Sequence, residues 1–282
     1  MAEKISMALE KFTLNNELVL ITGGGGFLGR QHAAAIAEIG GVPVILDIAK
    51  TRAAETATYL KKVYTTEAFY YKVDITDEEA LNRVLGEIKR DAGRIPYGLI
   101  NNAGIDPKFD QDSGKTPKSR LENFPLEQWN KEISVSLTGA FLCSKIFGTE
   151  MAKANRGIIV NISSDLGIIA PDQRIYKKEG IPADMQDVKP VTYSVIKHGI
   201  IGLTKYLATY WANCGVRCNT LVPGGVFNNH SDEFIKKLTS RIPLGRMAHS
   251  DEYKSAIQFL VSDASSYMTG QTLILDGGRS IW

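Results

Sequence analysis

The feature that most constrains the fold is an alternation of short apolar runs with stretches at helical spacing. It begins with LVLIT (18–22), continues through a run of four glycines, and passes directly into FLGRQHAAAIAEI, which has helical spacing. Strands that alternate with helices pair in parallel through right-handed crossovers. We therefore predict an α/β fold, a doubly wound parallel sheet of about seven strands with helices on both faces. The predicted strands are 18–22, 42–47, 68–74, 98–104, 157–164, 216–222 and 271–278, and the predicted helices include 53–64, 77–92, 126–154 and 252–261.

The bulk composition favours a single domain, residues 1–282. A hydrophobic content of 44% supports one large core, and 33 basic against 31 acidic residues provide no footprint for nucleic acid or an anionic membrane. The N-terminus does not resemble a signal peptide, and no apolar run reaches the ~20 residues of a membrane span. Three cysteines cannot all pair, and Cys214 and Cys218 lack a metal-binding pattern. We therefore expect a soluble, cytoplasmic protein without a metal site.

The glycine run after the first predicted strand is a candidate dinucleotide-binding turn. Without β-carbons, the backbone of residues 22–26 can turn tightly and approach a pyrophosphate at the N-terminus of the next helix. A flexible turn without a ligand is the alternative. The candidate contacts are Gly23, Gly25, Gly26, Phe27 and Leu28.

Asp47 ends the second predicted strand, 18 residues beyond Gly29. A carboxylate at this position can accept both ribose hydroxyls of an adenosine. Because the same carboxylate repels a 2′-phosphate, NAD is favoured over NADP as the cofactor. Asp47 could instead cap the following segment, with Arg52 offsetting its charge.

Polar and turn-forming residues follow the third, fourth and sixth predicted strands. Their short side chains can satisfy loop backbone groups or contact adenine, and proline with glycine can shape a turn past a nicotinamide. For Asp74 a role as a helix N-cap is an equal alternative. The residues at these strand ends are Asp74, Ile75, Asn102, Ala103, Gly104, Pro223 and Gly224.

The stretch TYSVIK contains Tyr193 and Lys197, four residues apart and therefore on one helical face. An ammonium beside a phenol favours the phenolate and lowers the pKa of the phenol, which would allow Tyr193 to act as a general acid/base. A tyrosine and a lysine at this spacing also arise by chance, so the pair depends on the rest of the chain for its interpretation.

Six motifs in order, TGGGGFLG, NNAG, GIIVNISS, YSVIK, CNTLVPGG and TGQTLILDGG, resemble the short-chain dehydrogenase/reductase family, mainly its classical branch. The resemblance implies a Rossmann-type domain that transfers a hydride between a nicotinamide and a carbinol carbon. It implies that Tyr193 is the catalytic acid/base and that Lys197 lowers its pKa and binds the nicotinamide ribose. Ser164 would hold the substrate oxygen, with Ser163 as the less favoured candidate.

Three positions depart from the family pattern. Phe27 stands where TGxxxGxG has a glycine, so the amide that contacts the pyrophosphate is open. Ser136 stands where the family usually has an asparagine that holds a water linked to the lysine, and this serine could hold a water or leave a weaker proton relay. Asn228 replaces the threonine of PGxxxT, close to Val226, and its amide can still bond a nicotinamide carboxamide.

Two insertions, near 105–125 and 170–190, and a substrate loop near 226–246 are expected to overhang the substrate mouth. Four basic residues in the insertions could bind a phosphate, a carboxylate or a sugar, or could simply be solvated. These are Lys108, Lys115, Arg174 and Lys177. We interpret His32 and His198, on predicted helices, as structural.

The resemblance extends to short-chain dehydrogenases associated with surface-polysaccharide and flagellin-sugar biosynthesis, through IDPKF, PDQRIYK and YSVIKHG. The leading hypothesis is an NAD-dependent oxidoreductase for a secondary alcohol or ketone of a sugar derivative. A 3-oxoacyl thioester reductase and a non-catalytic cofactor-binding scaffold are the alternatives. The resemblance also implies a homo-oligomer, a dimer or tetramer, formed through the helix before GIIVNISS and the Tyr193 helix, with GGRSIW at an interface.

Overall fold

Seven parallel strands form one sheet in the computed structural model, which describes residues 9–106 and 117–281. The strand order is β3-β2-β1-β4-β5-β6-β7, so the chain starts in the middle, builds outward to β3, and then crosses to the other side of β1. This order confirms the predicted doubly wound fold. The strands are β1 Leu18–Thr22, β2 Val42–Asp47, β3 Phe69–Lys72, β4 Gly98–Asn101, β5 Gly157–Ile162, β6 Val216–Pro223 and β7 Thr272–Leu275.

Eight α-helices connect or follow these strands within the described residues. One of them, Glu78–Ala92, carries clear sequence signals at both ends: the Asp77 side chain caps its N-terminus by accepting the Ala80 N–H, and Gly93 ends it in the left-handed region. The helices are α1 Phe27–Glu38, α2 Lys50–Tyr64, α3 Glu78–Ala92, α4 Leu126–Ile133, α5 Gly139–Lys153, α6 Val191–Tyr210, α7 Asp232–Thr239 and α8 Lys254–Val261.

The apolar core lies on both faces of the sheet, as expected when strands are buried on each side. Ile36 of α1 and Ile257 of α8 pack with Ile21 and Val160 on one face. Phe147 of α5 and Leu81 of α3 belong to the cluster on the other. All residues of β1, β2, β4 and β5 are buried, which leaves the carboxyl ends of the central strands as the exposed edge where loops can build a site.

One predicted helix, 126–154, is interrupted in the structure. A π-helical segment, Ser134–Thr138, separates α4 from α5. Such segments insert an extra residue into a helix and are frequent at functional sites. The segment contains Ser136, which is buried and faces the loop after β4 through a hydrogen bond from the Ile105 N–H at 3.1 Å.

The insertion near 170–190 forms two short 3₁₀ helices, Gln173–Tyr176 and Ala183–Met185, and packs on the substrate loop. Ile175 is buried against Leu238 of α7, together with Ile242 and Met247. The insertion and α7 therefore pack against each other, and we call this pair of segments the roof. The sequence did not predict this contact. Of the first insertion, residues 107–116 lie outside the described residues, and so do the predicted ligands Lys108 and Lys115.

No helix within residues 9–106 and 117–281 combines the length and apolar character needed to cross a membrane.

Candidate active site

A cavity of about 310 Å³ opens at the carboxyl ends of the central strands, beneath the roof of the insertion and α7. Residues from both halves of the sheet line it, as expected at a change in strand order. The sequence-predicted residues in its lining are Phe27, Leu28, Asn102, Gly104, Ser136, Ser164, Tyr193, Lys197, Pro223, Gly224, Val226 and Asn228. The other candidates, which follow β1 to β4 outside this lining, are Gly23, Gly25, Gly26, Asp47, Asp74, Ile75 and Ala103.

Tyr193 and Lys197 occupy the first two turns of α6 and face the cavity together. The Lys197 Nζ lies 5.7 Å from the centroid of the Tyr193 ring and donates to the Ile162 carbonyl at 3.0 Å. The start of α6 is fixed from the other side, because the Thr192 hydroxyl donates to the buried Glu132 carboxylate on α4. The predicted juxtaposition of the pair is therefore present in the fold.

The expected lowering of the tyrosine pKa is wrong for the protein alone. Burial raises the pKa of Tyr193 above its usual value of 10.0, Asp106 adds to the increase, and a hydrogen bond with Ser164 opposes it. Burial also lowers the pKa of Lys197 from 10.5 to about 8. The physical reason is that the site withdraws both groups from water, which disfavours a phenolate and an ammonium alike.

Ser164 and its neighbour Ser163 have different environments. The Ser163 hydroxyl donates to the Lys197 carbonyl at 2.7 Å and so anchors α6. The Ser164 hydroxyl donates to Asp165 Oδ1 at 2.8 Å and hydrogen-bonds with Tyr193. This arrangement favours Ser164 as the serine that faces the reacting atoms.

The glycine turn is shaped by close backbone contacts. Gly23 has a φ of +61°, and a β-carbon at Gly29 would lie 2.2 Å from the Gly23 carbonyl oxygen. The Thr22 hydroxyl accepts from the amides of Asn102 and Ala103, both at 3.0 Å, so the NNAG motif clamps the turn. The helix α1 begins at Phe27 and its N-cap Gly26 has no side-chain cap, which leaves amides that could hold a phosphate.

Asp47 is enclosed and makes three local hydrogen bonds. Its Oδ2 accepts the Gly25 N–H at 3.1 Å, and its Oδ1 accepts the Ala49 N–H at 2.9 Å and the Arg52 Nη2 at 3.1 Å. The side chain of Asp47 is only 3% exposed, whereas Arg52 is 54% exposed. The carboxylate thus lies directly behind the glycine turn, and the exposed arginine is the group that covers it.

Asp74 does not cap the helix after β3, so that alternative is wrong. Asp77 holds the N-cap, because its side chain accepts the Ala80 N–H at 2.9 Å. Asp74 instead accepts the Thr76 N–H and hydroxyl, and its neighbour Ile75 is buried. Asp74 remains exposed at the edge of the sheet, where a ligand could reach it.

A buried polar network beneath the cavity joins β4, β5 and β6 to α6. The Asn101 amide donates to Asn161 Oδ1 at 2.8 Å, and the Asn161 amide donates to the Thr204 hydroxyl at 2.8 Å. Thr220 on β6 donates to the same hydroxyl at 2.7 Å. Asn101 Oδ1 alone of these amide oxygens has no partner among the described residues, and the remaining bonds tie α6 to the sheet beneath it.

Several cavity residues were not predicted from the sequence. Lys189 lies in the second insertion, with its Nζ 3.8 Å from the centroid of the Tyr193 ring and 2.9 Å from Asp106 Oδ1. Arg174 and Lys177, the predicted anion ligands, are absent from the described lining, and Arg174 forms a two-pronged ion pair with Asp172. The remaining unpredicted polar lining residues are Asp165, Tyr176, His230 and Arg279.

The expected place of the GGRSIW segment at an interface between copies stays a prediction, and within the chain its arginine has an internal partner. Arg279 turns inward, is 8% exposed, and pairs with Asp165 inside the chain. Ile281 is 80% exposed and Trp282 lies outside the described residues. In the sequence, the only indication that Arg279 turns inward is its position directly after the two glycines that lie beyond β7.

No cluster of three or more His, Cys, Asp or Glu side chains suited to a metal ion occurs in the described part of the chain.

Comparison with known proteins agrees with this geometry. A family model described as short chain dehydrogenase matches residues 17–176, and one described as Enoyl-(Acyl carrier protein) reductase matches residues 183–280. An NAD-dependent glycerol dehydrogenase from Listeria innocua is 30% identical over 278 residues, covering 96% of this chain and 96% of the relative. A post-translational flagellin modification protein A from Campylobacter coli is 28% identical over 265 residues, covering 94% and 98%.

Among solved structures, a gluconate 5-dehydrogenase from Burkholderia cenocepacia in complex with NADP and tartrate superposes with a TM-score of 0.84. The two proteins are 27% identical, and the match covers 98% of this chain and 99% of that one. The chain is therefore an oxidoreductase that belongs to the short-chain dehydrogenase/reductase family.

Proposed function

We propose that the protein is an NAD-dependent dehydrogenase that interconverts a secondary alcohol and a ketone on a sugar or polyol. The observation that carries this proposal is the convergence of Ser164, Tyr193 and Lys197 on one cavity beside the glycine turn. A general acid/base, a hydroxyl that can both donate and accept, and a nearby ammonium are the groups that proton transfer at a carbinol oxygen requires.

The residues along the sheet edge fit a dinucleotide. The glycine turn admits no β-carbon at Gly29, and uncapped amides start α1, as a pyrophosphate site requires. Asp47 lies behind the turn, where displacement of Arg52 would free an oxygen for the adenosine ribose. When bound, the nicotinamide supplies the hydride chemistry, and the protein supplies alignment and proton transfer. The proposed contacts are Gly23, Gly25, Gly26, Phe27, Leu28, Asp47, Asp74, Ile75, Asn102, Ala103, Gly104, Tyr193, Lys197, Pro223, Gly224, Val226 and Asn228.

Tyr193 exchanges the proton with the substrate oxygen, and Ser164 holds that oxygen. Burial keeps the Tyr193 pKa high in the protein alone, so positive charge must favour the phenolate during alcohol oxidation. Lys197 is one source of this charge, and Lys189, 3.8 Å from the ring centroid, is a second. Ser136 stands in place of the usual asparagine; its hydroxyl accepts the Ile105 N–H, so its own proton is available to hold a water of the proton relay.

The chemistry of the cavity supports a polyhydroxylated substrate. Lys189, Asp106, His230 and Arg279 provide donors and acceptors of both charges around the reacting centre. Such a lining suits several hydroxyl groups better than a long apolar chain. Named relatives act on polyols and sugars, including glycerol and galactitol.

The test is to follow NADH and NADPH absorbance while the protein is offered polyols, sugars, sugar phosphates, nucleotide sugars and 3-oxoacyl thioesters. We expect turnover with NAD and at least one compound of the sugar or polyol class. Turnover confined to 3-oxoacyl thioesters with NADPH would contradict the proposal and favour the thioester reductase. Cofactor binding without turnover of any compound would favour the scaffold.

A further inference from the structure

A buried ion pair joins the C-terminal segment to the residue beside Ser164. Arg279 Nη1 lies 2.6 Å from Asp165 Oδ2, and the two side chains are 7% and 4% exposed. The pair connects positions 114 apart in sequence. Removing two charges from water is costly, so a pair this enclosed is stable only when both partners are well placed.

The other oxygen of the Asp165 carboxylate binds Ser164. Asp165 Oδ1 accepts the Ser164 hydroxyl at 2.8 Å and the Leu166 N–H at 2.8 Å. Asp165 therefore has one oxygen on the arginine and the other on the serine. The Ser164 Oγ also accepts the Leu166 N–H at 3.3 Å, so the contacts with Asp165 and Leu166 together fix the position of this oxygen beside Tyr193.

The position of Arg279 is set by the turn that precedes it. Asp276 accepts the Gly278 N–H at 2.9 Å and the Ser280 N–H at 2.8 Å, one with each carboxylate oxygen. Gly278 has a φ of +88°, and a β-carbon there would lie 2.8 Å from Pro243 Cγ. The turn fixes the backbone at Arg279, and its side chain lies in the wall of the cavity.

We propose that Arg279 is a positioning residue that acts through Asp165 to hold the Ser164 Oγ in the place from which it binds the substrate oxygen. This inference rests on the proposed function, because it gives Ser164 a role in the reaction. Loss of the guanidinium removes the cation that pairs with Asp165, and the carboxylate is then free to turn away from Ser164. The C-terminal segment would thus complete the active site.

A double-mutant cycle tests the proposal on the full chain, using the compound that gives most NADH. Arg279→Leu and Arg279→Lys are each made in the natural sequence and in Ser164→Ala. We expect Arg279→Leu to lower kcat by roughly 10- to 100-fold with an unchanged Kd for NAD, and Arg279→Lys to recover most of this loss. In Ser164→Ala, Arg279→Leu should change kcat by less than about twofold, because coupled residues are not additive.

The matched control is Arg156→Leu, which removes an exposed arginine paired with Glu17 just before β5, at the opposite end of the strands from the cavity. It should leave kcat unchanged. If Arg279→Leu does not fold, Asp165→Asn with Arg279→Leu removes both charges together, and kcat should stay low while the fold is retained.

An equal loss of kcat with and without Ser164 would overturn the inference, as would an Arg279→Leu variant with natural kcat. The proposed function fails separately: it falls if the natural protein turns over no alcohol or ketone, or if Ser164→Ala and Tyr193→Phe are both fully active. Loss of turnover in those two variants together with a fully active Arg279→Leu would reject only the role of Arg279.

Discussion

His32 on α1 is fully buried, and neither of its ring nitrogens has a hydrogen-bond partner within the described chain. Burial lowers the pKa of His32 from 6.5 to about 4, and the Asn102 side chain opposes this shift without offsetting it. The sequence suggested a structural role, which this position supports. A neutral, enclosed histidine packs well, but it destabilises the folded state in acid, where an exposed histidine would bind a proton.

The stability of the protein should therefore fall as the pH falls from 6.5 toward 4. In this window the unfolded chain binds a proton at His32 that the folded chain does not, which costs the folded state about 3 kcal/mol at the acid end. Denaturant unfolding across this range should show a shallower decline for His32→Leu than for the natural protein. The control is His198→Leu, an exposed histidine. Parallel profiles for His32→Leu and the natural protein would reject this explanation.

The Asp47 and Arg52 pair should set cofactor preference. Asp47→Ala removes the charge that opposes a 2′-phosphate and leaves the Arg52 guanidinium, now 3.1 Å from the carboxylate, free to attract one. The ratio of kcat/KM for NAD over NADP should fall by about tenfold or more, equivalent to ~1.4 kcal/mol. Arg52→Ala should move the ratio the other way. A natural protein that already prefers NADPH would show that Asp47 does not select the cofactor.

At the scale of elements, the strands and the doubly wound fold class follow from the sequence, because apolar runs bounded by glycine are local signals. The helix boundaries near Ala53 and Glu252 were less accurate: α2 begins at Lys50 and α8 at Lys254. The Lys189 to Asp106 and Arg279 to Asp165 pairs could not be predicted, since they join positions 83 and 114 apart. Such contacts depend on how loops are packed by the finished fold.

The glycine turn gives a prediction at this scale. Gly29→Ala would place a methyl group 2.2 Å from the Gly23 carbonyl oxygen, so the turn must open and NAD binding should be lost, measured by titration. The matched control is Gly86→Ala on α3, where a β-carbon meets no atom within 4 Å. This control should keep NAD binding and gain about 0.5–1 kcal/mol in the free energy of unfolding. Normal NAD affinity in Gly29→Ala would contradict the proposed site.

The whole molecule leaves large apolar side chains exposed on the two helices that the family resemblance implicates in assembly. Phe141 on α5 is 47% exposed, and Tyr206 and Tyr210 on α6 are 61% and 63% exposed and stack on each other. Exposed apolar surface of this kind marks interaction sites. We propose that these helices form a symmetric interface between copies of this chain, and that residues 1–282 act as one domain.

Charge placed on this surface should therefore dissociate the assembly. Phe141→Asp with Tyr206→Glu should sediment as a monomer under conditions in which the natural protein is a dimer or tetramer. Tyr59→Glu, which changes a tyrosine on α2 that is 54% exposed, should not alter the sedimentation coefficient. A monomeric natural protein, or an assembly that survives both charges, would reject this interface.

The central claim concerns Tyr193, and the most direct measurement is a single turnover of bound NAD with the alcohol identified by the substrate panel. Tyr193→Phe removes only the hydroxyl that exchanges the proton, so the Kd for NAD should be nearly unchanged. We predict that NADH formation in this variant falls by at least about 100-fold, the lower end of what general acid/base catalysis supplies. NADH formation at the natural rate would contradict the account.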